Sequence, residues 1–206
     1  EVSETKELQT LEGLDGLKFV GGDLTLNQTQ GLENINALNS LEAVGGALEI
    51  TGNQSLQSVD GFSALAEVGD LTVASNAVMV GIDGLNSLEA VMGSLAINNN
   101  QQLTSVNGME SLQAVGGDFE LSENEVLTAV EGVGELATIG GELGVFDNPK
   151  LSIFTALKAV GAVGGGVLMM GNDALEEEET SQRLKEQSGS PEAAVLLEQQ
   201  KRRFGG

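Results

Sequence analysis

A ten-residue motif recurs along the chain about every 24 residues, and this repeat constrains the fold more than any other feature. Residues 44–53 read Val-Gly-Gly-Ala-Leu-Glu-Ile-Thr-Gly-Asn, and residues 115–124 read Val-Gly-Gly-Asp-Phe-Glu-Leu-Ser-Glu-Asn. The apolar residue after the glycines occurs at Leu24, Leu48, Leu71, Leu95, Phe119, Leu143 and Val167. The intervals are 24, 23, 24, 24, 24 and 24 residues, and one glycine is missing at Val68-Gly69-Asp70. Repeats of this length indicate a solenoid.

Each copy contains a Leu-x-Ile segment whose alternation is typical of a half-buried strand. The Leu-x-x-Val and Leu-x-x-Leu steps that follow turn single apolar residues inward at the corners. One unit cannot bury its apolar side alone, so the copies must stack into a continuous core and a parallel sheet. The sequence therefore predicts an all-β, right-handed parallel β-solenoid over residues 1–175. Within it, residues 1–10 are predicted to form an arm over a first coil that has no strand.

One asparagine follows the strand in each copy after the first, where Thr29 takes its place. These residues are Asn53, Asn76, Asn100, Asn124, Asn148 and Asn172. Stacked amides can bond one another and the turn backbone that the sheet leaves unpaired. We interpret the row as a structural ladder, and a ligand-binding row of amides is the alternative.

Residues 103–121 follow the pattern Leu-x-x-Val-x-Gly-Leu-x-x-Leu-x-x-Val-Gly-Gly-x-Leu-x-Ile, with Met109, Phe119 and Leu121 as its variants. The pattern resembles extracellular leucine-rich repeats of the 24-residue kind. It is more similar still to the receptor L domain, a β-helical ligand-binding module of receptor ectodomains. The resemblance covers roughly residues 11–175 and implies solenoid geometry, whereas function depends on what the faces carry. Receptor L domains usually have flanking cysteines and aromatic caps, and this chain has neither.

The composition argues against catalysis and against a dedicated metal site. The chain has no Cys and no His, which supply most nucleophiles, general bases and zinc ligands. Acidic groups such as Glu120, Glu123 and Glu125, or Asp23 and Glu49, are expected by chance among 31 acidic residues. No EF-hand spacing is present. We therefore predict a protein that is not an enzyme and that needs no cofactor or metal.

The formal net charge of −22 limits the classes of partner. Nucleic acid needs a basic surface, and so do anionic membranes, so we expect neither nucleic-acid binding nor membrane insertion. A protein partner is the remaining expectation. The chain begins at Glu1 without a visible signal peptide, as a mature secreted protein or a trimmed one would. We expect an extracellular, cell-surface or other non-cytosolic location.

Strand alternation predicts which residues point outward. Most of them are small, polar or acidic, but the last two strands present Phe146, Leu168 and Met170, which we call the apolar patch. An exposed patch of this kind indicates an interaction site or a covered surface. Asn27 begins an Asn-Gln-Thr sequon and is predicted to face outward, which makes it a possible glycosylation site.

Residues 176–206 differ in composition from the repeats. An acidic run at 176–179 is followed by five of the nine basic residues, Arg183, Lys185, Lys201, Arg202 and Arg203. Helix signals predict helices over 174–187 and 191–203, the second with Ser190 as its N-cap and Pro191 at its first position. We expect a helical C-terminal tail that covers the open end of the solenoid and the patch. A solvated tail is the alternative.

Taken together, these features predict a non-enzymatic recognition or scaffold module that binds another protein or a surface ligand. The alternative is an architectural subunit of a larger multiprotein assembly, docked by its C-terminal tail and the apolar patch.

Overall fold

The computed structural model describes residues 1–155 and 159–175, which form a parallel β-solenoid of about seven turns. The predicted all-β parallel solenoid is confirmed. The predicted helical tail over 176–206 lies outside the described residues, and Ala174 and Leu175 lie in a turn and a bend.

The described strands are short and recur at the repeat interval. In chain order they are Val2–Ser3 (β1), Phe19–Val20 (β2), Leu24–Asn27 (β3), Ala43–Val44 (β4), Leu48–Thr51 (β5), Glu67–Val68 (β6), Leu71–Ala74 (β7), Ala90–Val91 (β8), Leu95–Asn98 (β9), Ser105–Val106 (β10), Ala114–Val115 (β11), Phe119–Ser122 (β12), Ala129–Val130 (β13), Thr138–Ile139 (β14), Leu143–Phe146 (β15), Ile153–Phe154 (β16), Ala162–Val163 (β17) and Val167–Met170 (β18). Two 3₁₀ helices, Asn36–Leu38 and Asp60–Phe62, form corners of early coils.

In the described part of the chain, three parallel sheets make up the sides of the solenoid. The largest has eight strands in the order β1-β3-β5-β7-β9-β12-β15-β18, and its four-residue strands pair in the register set by the repeat, as in Leu95 opposite Phe119. A seven-stranded sheet runs β17-β14-β11-β8-β6-β4-β2, and a three-stranded sheet runs β10-β13-β16. Strands within a sheet lie about 4.8 Å apart, so the large sheet is about 34 Å long from first strand to last.

The core is a single column of aliphatic side chains with a few rings. Outside the four-residue strands, every third residue points inward, as in the run Leu56, Val59, Phe62, Leu65 and Val68, all of which are at most 1% exposed. Phenylalanine also replaces leucine at Phe119 without disturbing the register. The corner steps therefore bury one apolar residue each.

The N-terminal residues do not form the predicted arm. Val2–Ser3 is β1, whose residues pair with Leu26 and Asn27 of β3. The backbone N–H of Glu4 then donates to Asn27 O at 3.0 Å, and that of Gln30 donates to Thr5 O at 2.8 Å. The first coil therefore has its own strand, and the expectation of a coil without a strand is wrong.

A left-handed residue follows each strand of the large sheet and turns the chain toward the ladder position. These residues are Glu4, Gln28, Gly52, Ser75, Asn99, Glu123, Asp147 and Gly171, with φ between 51° and 67°. Only two of the eight are glycine, although other residues lose roughly 1–2 kcal/mol in this region. The turn geometry is therefore imposed by the stacking of the coils.

The 23-residue coil explains an exposed methionine. In other coils a Cβ on the first glycine of the pair would meet a carbonyl of the coil before it, as Gly140 would meet Gly116 O. In the short coil Gly69 alone spans this corner, and its carbonyl accepts the N–H of Gly93 at 2.7 Å. Val68 O accepts the N–H of Met92 at 2.9 Å, but the carbonyl of a first glycine is missing there, so Met92 can occupy a first-glycine position, and it is 65% exposed.

Candidate interaction surface

The outer face of the eight-stranded sheet is the broadest regular surface of the described solenoid. Residues in register across the strands form two outward rows. The first row contains Thr25, Glu49, Thr72, Ala96, Glu120, Gly144 and Leu168. The second contains Ser3, Asn27, Thr51, Ala74, Asn98, Ser122, Phe146 and Met170. Both rows change from small polar or acidic residues to apolar ones at the last two strands.

The apolar patch is continuous across β15 and β18. Leu168 lies opposite Gly144, and Met170 lies opposite Phe146. A Cβ on Gly144 would lie 2.6 Å from Phe146 Cε2 and 3.0 Å from Cζ, so one edge of the aromatic ring lies over the glycine of its own strand. Phe146 and Leu168 are half-buried, and Met170 is 47% exposed.

Carboxylates surround the patch. Glu120 lies opposite Gly144 and accepts a hydrogen bond from Ser122 Oγ at 2.8 Å. Glu142 reaches the same region as Leu168. Its carboxylate oxygen lies 3.9 Å from the position that a Cβ on Gly166 would take, and Leu168 Cδ1 lies 3.9 Å from that same position. The carboxylate of Asp147 lies over Gly171, directly after Met170. The patch is therefore an apolar centre with an acidic rim formed by Glu120, Glu142 and Asp147.

The acidic rim belongs to a strongly anionic surface. The described residues carry 24 of the 31 acidic side chains, because the other seven lie in 176–206. Against these stand three described basic residues, Lys6, Lys18 and Lys150. Among the described side chains one ion pair forms, between Lys18 and Glu42 at 2.7 Å. Few cations offset the negative potential beside the patch, so a cationic partner would be attracted to it.

The described part of the sheet ends at β18, which pairs with β15. In the last coil the inward residues Val163, Val167 and Met169 are only half-buried, whereas Ile139 and Leu143 one coil earlier are at most 2% exposed. The C-terminal end of the solenoid therefore exposes part of its core beside the apolar patch.

The asparagines of the ladder form one buried stack. The backbone N–H and Nδ2 of each residue donate to Oδ1 of the next, at 3.0–3.4 Å from Asn53 through to Asn172. Nδ2 also donates to a strand carbonyl of the coil before, as from Asn100 to Val73 O at 2.9 Å. Thr29 donates its N–H and hydroxyl to Asn53 Oδ1 in the same way.

The burial of the ladder asparagines determines whether their side-chain amides are accessible to a ligand. The members from Asn53 to Asn148 are fully buried, and Asn172 is half-buried at the open end. The amides of the buried members are engaged with three successive coils, so the row holds the coils together and offers no free group to a ligand.

Asn27 lies in the second outward row, between Ser3 and Thr51, and is half-buried. The threonine of its sequon, Thr29, is fully buried, and its hydroxyl donates to Asn53 at 2.6 Å. In the folded chain the sequon is therefore partly inside the core, so a glycan on Asn27 would have to be attached before the first coils close.

The acidic residues singled out from the sequence do not form one site, and Asp23 has a structural contact. Asp23 Oδ1 accepts the N–H of Ala47 at 2.9 Å, and Asp70 and Asp118 accept from the next coil in the same way, at 2.7 Å each. These hydrogen bonds to aspartates were not predicted from the sequence, although an Asp follows a Gly at each of the three positions. Glu123 and Glu125 are exposed on either side of the ladder residue, away from Glu120 on the sheet. Within residues 1–155 and 159–175, no group of three acidic side chains is arranged to hold a metal ion.

Comparison with known proteins adds no family assignment: no family model matches the chain, and no curated protein is significantly similar to it. In the described part of the chain, no helix has the length and apolar character needed to cross a bilayer.

Proposed function

We propose that the chain is a non-enzymatic recognition or scaffold module that binds another protein through the outer face of its eight-stranded sheet. The apolar patch carries this proposal, because Phe146, Leu168 and Met170 stand together on a regular face of otherwise polar and acidic residues. Protein interfaces commonly combine an apolar centre with a polar rim.

The chemistry of the rim limits the partner. Glu120, Glu142 and Asp147 would repel an acidic surface and attract Lys or Arg side chains that flank an apolar anchor. We therefore infer a partner whose contact segment carries apolar residues next to basic ones.

We further propose that the solenoid is of the leucine-rich-repeat and receptor-L-domain type. The 24-residue spacing, the aliphatic core and the buried asparagine stack support this class. An extracellular or cell-surface location is the corresponding proposal, since extracellular recognition is what the resemblance implies.

The test is partner capture with a matched pair of variants. Met170→Glu places a charge at the exposed end of the patch, whereas Ala74→Glu places one in the same outward row, four strands away. Cross-linked complexes isolated from the native source should lose their partner with Met170→Glu and keep it with Ala74→Glu. If both variants retain the same partners, the patch is not the binding site.

An architectural subunit of a larger multiprotein assembly is the second candidate, docked through the C-terminal tail and the patch. The last described strand favours it, because Leu168 and Met170 of β18 carry part of the patch, and the inward residues Val163 and Val167 beside them are only half-buried. Native material separates the two functions: a free module would run as a monomer in size exclusion, and a subunit would elute with its assembly.

A further inference from the structure

The described chain ends beside the apolar patch. β18 is the last strand, and Leu175 packs against the core at the same end, with its N–H donating to Asn172 O at 3.0 Å. The remaining residues, 176–206, therefore begin at the open end of the solenoid.

The sequence of the last part of the chain is complementary to the patch. Residues 191–204 contain Val195, Leu196, Leu197 and Phe204, together with the basic run Lys201-Arg202-Arg203. The patch and its rim present the matching features, three apolar side chains among three carboxylates. Five of the chain's nine basic residues lie in 176–206, while the described solenoid has three.

The length of chain and its tether also favour this segment as the occupant. The 15 residues from 176 to 190 can span up to roughly 50 Å when extended, at about 3.3 Å per residue. The patch lies on the last two strands, about 5–10 Å from the edge of the sheet. A short tether gives an effective concentration in the millimolar range, so even a weak contact would be populated. A second copy is a poorer occupant, because each chain carries a net charge of −22.

We propose that residues 191–204 of the same chain bind the apolar patch in the free protein, with the basic run at the acidic rim. This inference deepens the proposed function, since it concerns the same surface: a protein partner would have to displace the segment. The apparent affinity of a partner for the patch would then be its intrinsic affinity multiplied by the fraction of molecules in which the segment is unbound.

The methionines of the chain provide a native probe of coverage. Peroxide oxidises accessible Met to the sulfoxide at a rate that follows exposure. In the described solenoid Met92 is 65% exposed and Met170 is 47% exposed, so without a cover their rates should agree within about twofold. Met79 and Met109 are fully buried and report whether the protein stays folded. Peptide mass spectrometry of the full chain resolves each site, with fragment ions separating Met169 from Met170.

We expect Met170 to oxidise at least fivefold more slowly than Met92 in the full chain. Lys201→Glu, Arg202→Glu and Arg203→Glu together should bring the Met170 rate to within twofold of the Met92 rate. Reversing Arg183 and Lys185, which precede the segment, is the matched control and should leave the protection intact. Slow oxidation of Met79 and Met109 in every variant would show that the fold is retained.

Three results would overturn the inference: equal rates at Met170 and Met92 in the full chain, protection unaffected by the triple reversal, or protection that disappears on dilution, which would identify a second copy as the occupant. Because this experiment uses the purified chain alone, its failure leaves the partner proposal standing. The partner proposal fails separately, if Met170→Glu and Ala74→Glu capture the same complexes.

Discussion

Replacing Asn100 with alanine tests the ladder at the centre of the solenoid. Its Oδ1 accepts from the N–H and Nδ2 of Asn76, at 3.1 Å each. Its Nδ2 donates to Val73 O at 2.9 Å, to Asn98 O at 3.1 Å and to Asn124 Oδ1 at 3.4 Å. Alanine removes all five hydrogen bonds from a fully buried site.

The cost follows from which groups keep another partner. Asn76 Nδ2 retains Ile50 O, and Asn124 Oδ1 retains the N–H of Asn100. The buried N–H of Asn76 loses the side-chain acceptor it has in the structure, which costs about 1–3 kcal/mol. The lost bond to Val73 adds about 0.5–1.5 kcal/mol. The variant should therefore be destabilised by about 1.5–4.5 kcal/mol.

Asn98→Ala is the matched control two residues away. Asn98 faces outward in the second row, and its Oδ1 has no hydrogen-bond partner among the described residues. Its loss should cost less than about 0.5 kcal/mol. The chain has no Trp or Tyr, so urea unfolding is best followed by far-UV circular dichroism. Equal unfolding midpoints for the two variants would refute the assignment of Asn100 to the interior.

Two further predictions concern the glycine corner. Inserting a glycine between Val68 and Gly69 restores the 24-residue length but places a carbonyl against Met92, so the insertion should lower the free energy of unfolding. Adding Met92→Gly to the insertion should recover about 0.5–3 kcal/mol of that loss, measured by urea unfolding. No recovery would mean that the short coil and Met92 are independent. Gly140→Ala should destabilise the protein by more than about 1 kcal/mol, because the new Cβ would meet a backbone carbonyl. In the control Gly134→Ala, the new Cβ meets nothing within 4 Å, so the melting temperature should change little. Similar melting temperatures for the two variants would contradict the stacked corner.

The repeat interval was sufficient to predict the solenoid because it sets the register of every long strand. The strand of the first coil was not predicted in this way, because no glycine pair precedes Val2, which aligns with Leu26. The three-stranded sheet also has no signal of its own, because its strands are two residues long, as at Ser105–Val106, and their pattern is that of any corner step.

The candidate site was only partly accessible from the sequence. Alternation alone places Leu168 and Met170 on the outer face, because their neighbours Val167 and Met169 take the inward positions. The ring of Phe146 lying over its own strand depends on the absence of a side chain at Gly144, which is a matter of packing. Alternation therefore predicts a residue's direction but not the shape of the surface it makes.

The directionality of the ladder bears on how long such a protein can be. Every coil from Asn53 to Asn148 makes the same donation to the coil that follows, so these coils share one hydrogen-bond pattern along the stack. Deleting residues 101–124 would place Glu125 after Asn100, where Gln101 now stands, and would leave the phase of every remaining contact unchanged. Each 24-residue unit removed or added would change the separation of the two ends by about 4.8 Å. The length of the described solenoid is thus set by the number of repeat units between its two ends.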